Sequence, residues 1–198
     1  MRILLVLALS AAGLECERPD VVFVQSPPPK TFAALRQLVG PLPSGSCVLP
    51  PIDLSVDSLK PVPLRDSATL RLPRGWRTSP IRPHDDEHAD TRLSLPGGSV
   101  ALIHRERNGA RGRAYLMYRP SVLAQGTTCT IERGQTGAIW SLYSPDPQDT
   151  SRLLKYNALG DVITPAGAWY AVSLRTPSAE DQSRLASILT EAMLLRLQ

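Results

Sequence analysis

A chain of 198 residues with 42% hydrophobic content holds one domain of ordinary size plus extensions, not two well-cored domains. Lys and Arg total 22 against 18 Asp and Glu, a formal charge of +4, which is too modest for a specialised nucleic-acid binder and points instead to an anionic envelope polymer or an acidic protein as partner. With 19 prolines and only 5% aromatics, parts of the chain are poor material for regular elements.

The first residues, "MRILLVLALSAAG", give a short positive n-region at Arg2, an apolar run from Ile3 to Leu9 and then small residues. This is the layout of a secretory signal peptide, expected over residues 1–13, and the run is too short to span a bilayer of about 30 Å. A secreted or periplasmic, envelope-associated location follows as the expectation. Cys16 stands where a bacterial lipoprotein carries its acylated cysteine, but Glu15 occupies the place of a small residue, so an unpaired thiol is the main reading and a lipid anchor the lesser one.

Residues 14–67 read as a proline-rich arm, broken by "SPPPK", "VGPLPSGSCVLPPID" and "LKPVPLRD". Within it "TFAALRQLVG" has Phe32, Leu35, Leu38 and Val39 on one helical face, Thr31 to cap and Gly40 to terminate, which predicts a short helix. An α+β domain is expected over 68–198: an antiparallel sheet packed by a C-terminal helix. Strands are predicted at about Thr91–Leu95, Ser99–Arg105, Arg113–Arg119, Thr127–Glu132, Ala138–Tyr143, Leu153–Asn157 and Trp169–Thr176. Asn108-Gly109 is a strong hairpin cue, and a two-residue turn there would pair Leu102 with Tyr115 and Val100 with Met117. Dinucleotide and P-loop signatures are absent, as is G-x-S-x-G.

The chain closes with "TPSAEDQSRLASILTEAMLLRLQ". Ser178 followed by Asp181 resembles a capping box with aspartate in place of glutamate, and Leu185, Ile188, Leu189, Ala192 and Leu195 form one apolar stripe. Trp76, just after "LRLPRG", is expected to fold back beneath this helix.

An opening strand with Leu70 and Leu72, running into Pro73, Gly75 and Trp76, and a closing Trp169–Leu195 strand, Thr-Pro-Ser cap and helix together resemble the PsbP-like α/β sandwich family over about residues 68–197. The resemblance implies an accessory or binding module on an exported protein, and it carries over no catalytic residue and no cofactor.

Three groups of side chains are candidates for chemistry. "PHDDEHAD" supplies His84, Asp86, His88 and Asp90 as metal ligands, and "HDDEH" matches the H-x-x-E-H pattern of some zinc proteases. That pattern needs a helix, and Pro80 and Pro83 with the strand-like "TRLSL" leave none, so a solvated acidic loop competes with a metal-dependent hydrolase. Arg105, Arg107, Arg111 and Arg113 interleave with Tyr115, a composition that suits an anionic partner but equally a solubilised edge hairpin. Finally, Cys47 in the arm and Cys129 in a predicted strand are expected to form a disulfide in an oxidising compartment, against the alternative of a loop thiol and a small buried apolar residue.

Overall fold

The computed structural model describes residues 27–42, 46–64, 68–83, 89–106, 126–143 and 156–195. The fold is α+β. Helix α1 (Phe32–Val39) is followed by strands β1 (Cys47–Val48), β2 (Leu59–Pro63), β3 (Thr69–Pro73), β4 (Arg77–Ser79), β5 (Thr91–Ser94) and β6 (Val100–Glu106). Then come β7 (Gly126–Arg133), β8 (Thr136–Tyr143), β9 (Tyr156–Ile163), β10 (Trp169–Thr176) and helix α2 (Ala179–Leu194). Eight strands make one sheet in the order β1-β7-β8-β9-β10-β6-β5-β4, while β2 and β3 form a separate pair. Every pairing is antiparallel except β1 with β7.

Successive strand residues point to opposite faces, so the register sorts the side chains into two layers. One face presents Ala138, Trp140, Val162, Val172 and Leu174, and against it α2 lays Leu185, Leu189 and Ala192. Leu70 and Leu72 of β3 and Trp76 belong to the same buried cluster, with Trp76 only 2% exposed. The other face presents Ile139, Ile163 and Trp169, on which α1 packs Phe32 and Leu35.

Both helices begin as their caps dictate. Thr31 Oγ1 accepts from Ala34 N at 3.2 Å, and Gly40, at φ 81°, ends α1 by donating to the Arg36 carbonyl. In α2 the Ser178 hydroxyl accepts from Asp181 N at 3.1 Å and donates to the Asp181 carboxylate at 2.9 Å. Leu185, Leu189 and Ala192 of the expected stripe are buried and Ile188 packs at its margin. Gln182 Nε2 donates to the Tyr143 and Asn157 carbonyls, tying the first turn of α2 to the paired ends of β8 and β9.

Three expectations need correction. The arm holds more than the helix expected in it: besides α1 it contributes β1 and β2, and Leu49, Val62 and Leu64 are buried in the main core. Pro61 and Pro63 of β2 are two apart, so their nitrogens face the same side, and a two-stranded sheet leaves one side without a ladder to disrupt. The Asn108-Gly109 hairpin lies outside the described residues, but its register is unavailable, because Leu102 pairs with Arg92 of β5 on one side and Ser173 of β10 on the other. The hairpin into β6 is made instead by Pro96-Gly97-Gly98, whose glycines take φ of 72° and 81°, and Leu95 N donates to Ser99 O. The strand expected at Leu153–Asn157 runs over Tyr156–Ile163. Within it, Trp140 fills the space above Gly160 and Trp169 Nε1 donates to Asp161 Oδ1 at 3.0 Å.

Candidate functional site

The disulfide is present. Cys47 and Cys129 are register partners in the parallel β1–β7 pair, with Cα atoms 4.4 Å apart and a sequence separation of 82. That separation is within reach of a bridge. Cys16 lies outside the described residues.

Of the acidic-loop candidates, His84, Asp86 and His88 lie outside the described residues, and Asp90 is committed elsewhere. Its Oδ2 accepts from Arg105 N at 2.8 Å and lies 3.0 Å from His104 Nδ1. His104 Nε2 in turn faces Glu106 Oε1 at 3.6 Å. His104 thus sits between two carboxylates, the nearer being Asp90. Among the described residues no group of three or more His, Cys, Asp and Glu side chains is placed to hold a metal ion.

His104 was not among the sequence candidates, nor were Glu106 and Asp161, which share its sheet face. Glu106 is directly opposite Trp169, and Asp161 is separated from His104 across the sheet by Ala171 alone. Asp161 is fully buried and Glu106 nearly so. The one signal in the sequence is a carboxylate set inside an otherwise apolar strand, "NALGDVI".

The arginine candidates divide in the same way. Arg107, Arg111, Arg113 and Tyr115 lie outside the described residues, and Arg105 is placed at the end of β6. Its register partner is Tyr170, which shares the α2 face with Val172. That corner of the fold holds a groove of about 590 Å³. Its walls are β3, the turn between β9 and β10, and the last turn of α2, which contribute Leu70, Ala166 and Met193 respectively. The turn is fixed by hydrogen bonds from Thr164 N to Ala168 O at 3.0 Å and from Gly167 N to Thr164 O at 2.9 Å. Arg71 and Arg105 also line the groove, and no Asp, Glu or Lys does so among the described residues. A second, smaller recess of about 300 Å³ lies beside the disulfide and the start of α2.

On the opposite end of α2 face, Arg133 Nη2 sits 2.6 Å from Glu191 Oε1. Glu191 is 4% exposed, and burial raises its carboxyl above the ordinary glutamate range, with the Arg133 charge acting the other way. No helix among the described residues is long and apolar enough to cross a membrane.

No family model, curated protein or solved structure matches this chain.

Proposed function

We propose that the chain is an exported, non-enzymatic binding or accessory domain whose ligand occupies the groove between β3, the β9–β10 turn and the end of α2. The observation that carries this reading is the groove itself, a concavity of about 590 Å³ walled by three separate elements. Its size falls within the range of roughly 300–1,000 Å³ usual for small-molecule sites. The signal-like N-terminus and the disulfide both fit an extracytoplasmic setting, and the resemblance to PsbP-like domains supports an accessory role. The competing reading, a metal-dependent hydrolase built on the acidic loop, draws nothing from Asp90, whose carboxylate is engaged by β6 and His104.

N-phenyl-1-naphthylamine, a dye that brightens on entering apolar sites, tests the reading on the mature full-length chain. The wild type should brighten the dye with saturable binding. Ala166→Trp, which fills the groove from the turn, should weaken that binding, and Ala68→Trp supplies a second filling variant from the β3 side. A wild type that leaves the dye dark, or folded filling variants that bind it as the wild type does, would overturn the proposal.

A further inference from the structure

We infer that the groove takes an extended peptide segment of another protein, added as a third strand along the outer edge of β3. The inference rests on the groove reading above and adds the ligand's class.

The hydrogen-bond phase of β2 and β3 decides which backbone groups face outward. Leu64 N donates to Ala68 O at 2.8 Å, and bonded and non-bonded pairs alternate along an antiparallel ladder. The bonded pairs are therefore Val62 with Leu70 and Lys60 with Leu72, while Pro63 opposite Thr69 and Pro61 opposite Arg71 are non-bonded. Neither proline has an N–H to give, which agrees with that phase. Thr69 and Arg71 thus turn their N–H and C=O groups away from β2, and on that side β3 has no partner strand among the described residues. Pro73, next in phase, ends the run, because it has no N–H and its carbonyl accepts from Trp76 N at 3.2 Å.

The groove follows this edge. Side chains alternate across a strand, so neighbours in sequence do not share one face. Yet Ala68, Thr69, Leu70 and Arg71 all line the groove, and no residue of β2 does so. A concavity that touches four consecutive residues of one strand and none of its partner runs beside that strand's outer edge.

The edge sets the chemistry of the ligand. Whatever covers Thr69 and Arg71 must replace water at two N–H donors and two carbonyl acceptors, since a backbone group buried without a partner is costly. An alkyl chain offers none of these partners. An extended peptide offers an N–H and a C=O on the same side at every second residue, which is the repeat that Thr69 and Arg71 present. Its intervening side chains would meet the apolar surface of Ala166, Met193 and Leu195.

The experiment uses a peptide of alternating threonine and valine with a lysine at each end, kept below the concentration at which it self-associates. It should displace the naphthylamine dye from the mature full-length chain and slow hydrogen exchange at the Thr69 and Arg71 amides. Two further peptides carry N-methyl groups, one on every valine amide and the other on every threonine amide, so that each blocks one edge of the added strand. One of them should need at least tenfold more peptide than the parent to displace the dye, and the other should act as the parent does. Equal potency of the two, at any level, would overturn strand addition. Arg71→Pro removes an outward N–H that makes no bond to β2, and it should weaken the parent peptide at least tenfold. If that variant does not fold, Thr69→Pro carries the same comparison. Dye binding that the parent peptide does not displace would overturn the peptide class and leave the groove reading in place. A concentration-dependent dimer of the chain alone, with both amides protected, would overturn it in favour of a second copy. A wild type that binds neither dye nor peptide would remove both the groove reading and this inference.

Discussion

Gly160 has no side chain because Trp140 stands in the space. A Cβ at that position would meet the indole ring at 2.6 Å, and the indole is fully buried with its Nε1 donating to Thr190 Oγ1 at 2.8 Å. The ring cannot move aside without breaking a buried hydrogen bond between sheet and helix. Trp76 is a second tryptophan sunk into this core, at 2% exposure, which meets the expectation of burial. Trp76→Ala should lower stability by about 3–5 kcal/mol, read from urea midpoints, whereas an unchanged midpoint would make it a contact residue.

Glu191 sets a pH dependence whose direction can be worked out. Burial holds its folded-state pKa above the value in the unfolded chain, so the native protein keeps a proton that the unfolded chain has already released. The associated stability is fully present below the unfolded pKa and is lost as pH rises through the folded one. Glu191→Gln cannot ionise and so escapes that loss. The variant should therefore gain stability relative to wild type as pH rises from the unfolded-chain glutamate value through the higher folded one, seen in chemical denaturation at a series of pH values. A difference that moves the other way would mean that the Arg133 contact outweighs the burial.

At the scale of elements, what was legible was what local chemistry decides. Both helices announce themselves through adjacent caps and stripes, Thr31 with Gly40 and Ser178 with Asp181. Ser178→Ala should cost about 1 kcal/mol in thermal or urea unfolding, since it removes the acceptor for Asp181 N. Asp181 is held below the usual carboxylate range by Arg184 and then by Ser178, so the stability it adds is present at neutral pH and is lost on acidification. What was illegible depended on partners distant in sequence. Nothing near Gly160 and Asp161 reveals that two tryptophans on neighbouring strands make room for the one and bond the other. The Asn108-Gly109 cue was local and real as chemistry, yet it had to compete with β5 and β10 for the same edges of β6. The candidate site divides likewise: Arg105 stood out as a cation, while the groove needs β3, the β9–β10 turn and the end of α2, whose proximity exists only after folding.

At the scale of the whole molecule, the N-terminal arm is part of the body. It closes one sheet face with α1, supplies β2 to the β2–β3 pair and ends the large sheet with β1. Gly137 records how tightly it fits, because a Cβ there would come within 2.6 Å of the Phe32 ring. The disulfide adds covalent constraint to that packing. In the entropic account, a loop closed across a sequence separation of 82 restricts the unfolded chain by about 4–5 kcal/mol. Protein exported by a competent host and alkylated without reductant should therefore leave Cys47 and Cys129 unlabelled in mass spectra. Reduction should lower the melting temperature, and labelling at both positions before reduction would show the bridge to be absent in solution.

Covalently, residues 47 to 129 form a closed ring, with strands β2 to β6 strung along its circumference. A protease that cuts one peptide bond anywhere on that ring opens it but releases nothing, since both new ends remain attached through the cystine. A molecule nicked once within the ring should therefore run at its full mass on a gel without reductant and fall into two pieces with it. In a compartment rich in proteases, such a chain can take a first cut and still hold every strand of its sheet on one covalent body.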